Sequence, residues 1–501
     1  MHTDYTGEEL QARVGRELGL RDFECRIEKK SLDARKKADI HWRITVGVSS
    51  PALKGGTVPV QPPLEIPRTG RGKRVLVVGS GPAGFFAALV LRKAGFEVTL
   101  IERGREVFAR AEAVTAFEQG GAFDEKANYL FGEGGAGTFS DGKLTSRSKR
   151  IGAERRFILD AYVRAGAPEE ITYMAHPHLG SDRLKTVVRN LRNEFLHLGG
   201  TVNFETRLLD LEITGSKVTA ALTDRGDFES EYFIIAPGHS AYETYRMLMG
   251  RGVGFRPKNF ALGSRAEHPR ELINEAQWGR KALPGVKAAE YRLTASPQGF
   301  LPSYTFCMCP GGVVVPATAY PDRLVVNGMS YYSRDMQFSN AACVVAVNPF
   351  EIIGAGVDAE AVLRWIEDLE HRFYDFSRSF RSPSCGIDDF LRRREPAGLP
   401  AASYPLGLVP APLWDLLPER LVPSLTEGLE VFSRKLTGFE TGILIGLESK
   451  TSAPLQVLRN EALACPGFEN LYVAGEGGGY SGGIVSSAAD GIRAALAICG
   501  T

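Results

Sequence analysis

The stretch Gly79-Ser80-Gly81-Pro82-Ala83-Gly84 constrains this chain more than any other. It reads G-x-G-x-x-G, and its flanks are those of a nucleotide-binding βαβ unit. Arg74 to Val78 is an apolar run of the kind a buried parallel strand needs. Pro82 stands where a helix begins and lacks a donor that would go unused there. Phe85 to Ala94 reads as that helix, with Gly95 as its stop, and Glu97 to Ile101 as a second strand ending on Glu102. Glu102 falls near the roughly 20-residue spacing of the acid that takes a ribose hydroxyl in a dinucleotide fold. Gly79 permits the tight turn, Gly81 lets backbone approach a pyrophosphate, and Gly84 lets helix and strand pack closely. The helix N-terminus offers free N–H groups to the phosphates. The motif alone leaves the dinucleotide open.

The far end of the chain repeats this physics. Asn470 to Ala474 is a short strand, Gly475-Glu476 opens a glycine-rich turn that runs through Gly482 and Gly483, and a helix follows from Ile484 to about Ile498. Glu476 suits a polyol hydroxyl, and the helix dipole suits negative charge on a ring. A third glycine-rich stretch, Phe131 to Leu144, includes Gly134, Gly135, Gly137, Thr138, Ser140, Asp141, Gly142 and Lys143. It has too many glycines for a helix or strand interior. It reads either as a backbone cradle for a flat ligand, with Ser140, Asp141 and Lys143 beside it, or as a flexible surface loop. The apolar run Tyr232 to Ala236 ends in Pro237-Gly238, and the meander-like strands before it return the chain to the parallel sheet.

At 501 residues the chain has room for two or three domains. Its net charge of +1 gives no reason to expect nucleic acid or an anionic membrane as a partner. Met1 to Leu10 is polar and acidic, unlike a secretory signal, and no apolar run approaches the roughly 18 residues of a membrane helix. Seven scattered cysteines fit a reducing compartment, so the expected location is cytoplasmic. The expected organisation is a small N-terminal α/β module over 1–50, a Pro/Gly-rich linker over 51–72, a Rossmann-like α/β domain over 73–250 with a β-meander, an inserted mixed α+β substrate or cap domain over 251–439, and a return to the first domain over 440–501. In the N-terminal module Thr6 and Glu9 have capping-box spacing, and the basic segment Lys29 to Lys37 is either a docking site for an acidic partner or a solvated helix face.

Several residues carry candidate chemistry. His178, in His176-Pro177-His178, precedes a helix that Ser181 or Asp182 would cap; it is either part of a rigid loop or faces substrate. Arg265 and Glu267 share one face of a strand by period two, as an ion pair or a substrate anchor, and His268 closes that strand. Cys307 and Cys309 form a C-x-C pair, which would close a strained disulfide ring. They are either a labile redox pair, with one thiol serving a cofactor, or two small buried residues. Glu448 to Pro454 is a polar segment that either reaches a cofactor edge or makes a plain turn. No cysteine or histidine grouping has metal-ligand spacing.

The first fingerprint with Glu102, the Ala236-Pro237-Gly238 strand end and Ala474-Gly475-Glu476 together resemble the two-motif FAD domain of glutathione-reductase-type and hydroxylase-type flavoproteins. Those proteins usually carry Gly-Asp where this chain has Gly475-Glu476. A nearer resemblance, over nearly the whole chain, is to the bacterial group of FAD-dependent dehydrogenases with similar stretches at Gly132–Leu144, Cys307–Gly312 and Ala474–Ile484 and a small N-terminal domain. The resemblance implies FAD, with Gly79 to Gly84, Glu102 and Arg103 on the ADP half and Glu476 to Ile484 on the ribityl and flavin half. A second strand–GxGxxG–helix for NAD(P)H is missing, as is a C-x4-C pair, which disfavours a disulfide reductase of the glutathione-reductase type. The expected function is hydride transfer between flavin and a small organic substrate, with NAD(P)H as a transient electron donor. The alternatives are a flavin monooxygenase and an electron carrier docked to a redox protein partner. His178, Lys143 and His268 are the candidate bases, with Cys307 and Cys309 as candidate thiols.

Overall fold

The computed structural model describes residues 1–54, 62–146, 148 and 150–500; positions 55–61 of the expected linker lie outside the described residues. The fingerprint strand Arg74–Val78 is the centre of a five-stranded parallel sheet. Its order is Leu471–Val473, Tyr232–Ile235, Arg74–Val78, Glu97–Ile101 and Thr201–Asn203. The first and last glycine segments therefore leave neighbouring strands at the same carboxyl edge, where open parallel sheets bind ligands.

Strand alternation sorts the apolar residues between two layers. Val75 and Val77 face a helical layer built from Pro82–Lys93, Gly152–Arg164, Gly180–His197 and Ile484–Cys499. Leu76 and Val78 face the other way, onto the antiparallel meander Leu208–Thr214, Lys217–Thr223 and Gly226–Glu229. In the helical layer the two cofactor-side helices cross almost in contact. A Cβ at Gly475 would lie 2.5 Å from Ala83 Cβ, and one at Gly491 only 2.0 Å from the Ala83 carbonyl oxygen.

The second domain is an eight-stranded mixed sheet around the long strands Ser303–Pro316, Phe338–Val347 and Phe260–Pro269. Helices Ala359–Ser377 and Val422–Lys435 pack on it in the largest apolar cluster of the molecule. Two features differ from the sequence-based expectation. Ile443–Glu448, expected on the returning segment, pairs with Phe260–Pro269 and Ser382–Gly386 in the mixed sheet, so the return begins after it. The apolar run Ile443–Leu447 carries no mark of which sheet it joins. The segment from Lys29 is no helix: the strand Glu24–Asp33 runs through it and pairs with His41–Ser49. Lys30 exchanges backbone hydrogen bonds with Tyr173 and Ala175, and its ammonium lies over Trp42. Thr6 and Glu9 do form the capping box.

Replacing Gly491 by Ala is expected to lower unfolding free energy by about 1–3 kcal/mol, because the new methyl meets backbone that cannot step aside. Urea unfolding of variant and parent checks this.

Candidate functional site

Three glycine segments converge at the carboxyl edge of the parallel sheet. Gly79 (φ +98°) brings its Cα so near Ala236 that a Cβ would lie 2.3 Å from the carbonyl oxygen, and a Cβ at Gly84 would lie 1.9 Å from Gly79 O. These two glycines are demanded by protein packing. Gly81 differs: the nearest atom to its Cβ direction is Gly135 Cα at 3.8 Å, and Gly238 and Gly482 meet nothing within 4 Å. The open glycines thus line a space, whereas the closed ones shape its walls. Pro82 takes the first position of its helix, and neither that helix nor Ile484–Cys499 has a side-chain cap, which leaves both N-termini to offer N–H groups. Ser80, Pro82, Glu133, Gly134, Arg192 and Phe204 line a cavity beside the first of them.

Glu102 braces the phosphate loop from within. One carboxylate oxygen accepts from Ser80 N (2.9 Å) and Ser80 Oγ (2.7 Å), the other from Gly104 N (2.9 Å). A carboxylate offers about four acceptor sites, so roughly one remains for a ligand hydroxyl. Arg103 turns away to pair with Glu243 and stacks 3.8 Å over Phe131.

The Phe131–Leu144 stretch is held by a residue that sequence reasoning missed. Arg110, wholly buried, donates to the carbonyls of Asn128 (2.7 Å), Gly132 (3.2 Å), Glu133 (2.9 Å) and Gly135 (2.9 Å). Burial pulls its guanidinium down to about 9, against the pull of Glu102 and Glu133. The loop it shapes lies on the first fingerprint, with Gly134 N donating to Ser80 O, and touches the last one, where a Cβ at Gly137 would meet Ile484. Thr138 Oγ1 faces Gly134 inside the loop and has no partner among the described residues. Ser140 turns inward, donating to Gly137 O and accepting from Gly142 N.

The loop ends in a charged cluster shared with the mixed sheet. Asp141 receives both guanidinium arms of Arg334 (3.1 and 2.6 Å) and the hydroxyl of Ser330. Burial raises its carboxyl, but Arg334, Lys143 and His178 more than offset that and leave it below the usual range. Arg334 also binds Glu290 (2.6 Å), which reaches His176 at 3.5 Å. Lys143 donates to the Met308 carbonyl and sits 3.6 Å from Asp141; Asp141 and the two nearby thiols outweigh its burial and keep it charged. His178 bridges backbone with Lys143, and its Nε2 donates to Tyr332 O at 3.2 Å, which leaves Nδ1 as an acceptor. Burial and Arg334 lower its pKa to about 4, so it is neutral at pH 7. The following helix, Gly180–His197, has no side-chain cap; Asp182 instead accepts from Tyr332 N.

Cys307 and Cys309 adjoin this cluster on the long strand, and Cys307 and Glu476 feel each other's charge. The expected Arg265–Glu267 pair does not form. Arg265 is wholly buried and binds Glu448 (2.8 Å), Asn340 (2.7 Å) and the Cys307 carbonyl (2.6 Å), while Glu267 accepts from Ser403. Period two places both on one face but does not choose their partners. Glu448 is thus the last residue of a strand, and Lys450, in the segment that follows, lies in a buried pair with Glu370 (2.7 Å). His268 lies apart, with Nε2 on Phe439 O and its ring against Phe439. Among the described residues there is no grouping of three or more histidines, cysteines and carboxylates fit to hold a metal, and no helix long and apolar enough to cross a membrane.

Residues 73–241 match the family model described as an FAD binding domain, and 259–451 match that described as FAD-dependent protein, C-terminal domain-like. An uncharacterised protein of Clostridium beijerinckii is 40% identical over 491 residues, covering 94% of this chain and 91% of its own. The chain belongs to this family of FAD-dependent proteins. Solved structures give slighter likenesses. Glycine oxidase from Bacillus cereus is 12% identical over 86% of this chain and 96% of its own (TM-score 0.34). CtdE in complex with FAD is 13% identical over 85% and 84% (TM-score 0.33).

The residues fit FAD. The open glycines leave room where its pyrophosphate and ribityl chain need backbone contact, and two helix N-termini face that room. Glu476 is half-buried, and burial raises its carboxyl to about 8. Hydroxyl donors from a ribityl chain would favour its ionised form.

Two outcomes are expected. Arg110→Met leaves four carbonyls without their donor; it should cost at least about 3 kcal/mol of stability and weaken FAD binding at least about tenfold, read by urea unfolding and by flavin fluorescence titration. Glu476 holds its proton more tightly folded than unfolded, so it lowers stability as pH rises from about 4.5 to about 8. In FAD-free protein, Glu476→Gln should flatten the decline of melting temperature across that window and be the more stable form at pH 9.

Proposed function

We propose that the protein is an FAD-dependent oxidoreductase, a dehydrogenase or reductase, that moves a hydride between flavin and a small organic substrate held between the FAD-binding part and the mixed-sheet domain. The observation that carries this reading is the charged cluster at their junction. Asp141, Lys143 and His178 come from the FAD-binding side, Arg334, Glu290 and Met308 from the other. Buried charges are expensive unless paired, so a cluster of this size at the mouth of a cofactor site supports chemistry there.

FAD supplies the two-electron step when bound. The chain's own groups divide the remaining work. His178, neutral with Nδ1 free to accept, is the base for a substrate proton. Lys143 stays cationic and favours negative charge developing beside it. Arg334 and Glu290 fix Asp141, and through it Lys143. His268 takes no part in this assignment, since it lies in the interior of the second domain.

The test is the absorption spectrum of the purified protein, then anaerobic reduction with NADH and with NADPH, then product analysis under oxygen-18. A flavin reduced by a nicotinamide, or by an organic substrate without label in the product, is expected. Labelled product would make the protein a monooxygenase; reduction only by a redox protein would make it an electron carrier. His178→Asn should keep the bound-flavin spectrum and slow substrate-driven flavin reduction by about 10²–10⁴-fold.

A further inference from the structure

We propose that Cys307 and Cys309 are a reversible dithiol–disulfide pair that exchanges two electrons with the bound FAD. This rests on the reading of the protein as a flavin oxidoreductase and adds a protein-borne electron store to it.

The strand Ser303–Pro316 breaks its pairing with Phe338–Val347 at this point. The register slips between Phe306 and Cys309, and again between Cys309 and Gly312. Cys307 has φ +43°, a left-handed conformation that a residue with a Cβ rarely adopts. The bulge brings the two residues together: Cys309 Sγ–H donates to the Cys307 carbonyl oxygen at 3.3 Å. The two sulfurs are unequal. Cys309 is wholly buried, while Cys307 keeps some exposure. Two cations flank them. Arg265 donates to the Cys307 carbonyl and, at 3.4 Å, to Cys309 Sγ; Lys143 is anchored on the carbonyl of Met308 between them. The neighbouring Cys309 thiol, with Lys143 and Arg265 behind it, holds Cys307 well below an ordinary thiol despite its burial, and Cys307 together with burial pushes Cys309 up. The pair therefore carries one thiolate, on the outer sulfur, and one proton, on the inner. The outer sulfur is also the one whose charge reaches Glu476 on the cofactor side.

The electron balance closes within the pair and FAD. Cys307 thiolate and Cys309 thiol form one S–S bond and release two electrons and one proton; oxidised FAD takes up two electrons and one proton to become its reduced anion. The reverse reduces the disulfide. A C-x-C disulfide closes a small strained ring, and strained disulfides are the readily reduced ones, which suits cycling rather than stapling.

The test uses the FAD-loaded protein under argon. Samples equilibrated in glutathione buffers from fully reduced to fully oxidised are acid-quenched, alkylated and digested, and the mass of the peptide containing Cys307 and Cys309 is read. One transition is expected, from a doubly alkylated peptide to an unalkylated one two hydrogens lighter. In parallel, dithiothreitol is added and flavin bleaching followed in the parent, Cys307→Ser and Cys309→Ser. Each variant is expected to keep the bound-flavin spectrum and to bleach at least about tenfold more slowly, having lost the intramolecular route. A third readout needs no FAD: in FAD-free protein Cys307 should react with iodoacetamide faster than the other cysteines, and more slowly after Lys143→Met. A peptide that never loses two hydrogens, or variants that bleach as fast as the parent, would overturn the proposal. If nicotinamide or substrate still reduces the flavin in that case, the oxidoreductase reading stands and only the dithiol fails. If none of them does but the peptide and bleaching results appear, the pair stands and the substrate assignment fails.

Discussion

Four carbonyl oxygens point at one guanidinium, and the cofactor site depends on that arrangement. The segment from Asn128 to Gly135 has no ladder and no helix to satisfy its backbone, so its carbonyls need donors from elsewhere. Arg110 supplies them from the helix Val107–Glu118 and stacks on Phe139 as it does so. A planar fork of five donors can do this; a lysine, with a single point of charge, could not reach all four in fixed geometry. Once shaped, the segment seats Gly134 on Ser80 and Gly135 over Gly81, and Glu102 locks Ser80 from the other side. Helix, phosphate loop and second strand thereby become one rigid frame.

The same logic recurs with paired charges. Asp141–Arg334–Glu290 joins the two domains and Arg265–Glu448 lies within the mixed sheet, and such ion pairs rarely add much stability once their desolvation is counted. What they add here is position. Breaking one leaves a charge stranded at a cost of several kcal/mol, so the alternatives to the observed geometry are strongly disfavoured. Arg334 itself sits at φ +53°, and a Cβ at Gly311 would collide with its carbonyl at 1.9 Å. The turn that presents this guanidinium is thus fixed by packing before any charge is considered.

These relations set what the sequence could show. The phosphate loop and the C-terminal turn were legible because strand, glycines and helix start lie within one short window, and each has a local physical reason. The capping box at Thr6 was legible for the same reason. Arg110, Arg334 and Glu290 were not, since an arginine in a helix or a turn looks like any solvated arginine. Arg334 meets Asp141 across 193 residues, and nothing local records it. Arg265 and Glu267 show the limit of period two, which fixes the face of a strand while the neighbouring strands fix the partner. Glu448 reads as loop for the converse reason: its polarity suggests exposure, but Arg265 makes burial tolerable. The tie of Glu102 to Ser80 is not legible in the sequence, because it closes only when the turn folds back.

The long strand Ser303–Pro316 combines both constraints, unsatisfied backbone and buried charge. In a regular ladder the carbonyls of Cys307 and Met308 would be spent on a neighbouring strand. The bulge removes both from the ladder, and the two nearest cations take them: Arg265 the first, Lys143 the second. Bulges re-aim side chains beside functional sites at the expense of pairing. Here the expense is small, because Val326–Ser330 holds the far half of the strand and Phe338–Val347 pairs with it on either side of the break, in shifted register. The break therefore has one local consequence. It presents backbone acceptors to two cations and places two sulfurs beside them. A straight strand of the same composition would have kept its ladder and left both cations without those acceptors.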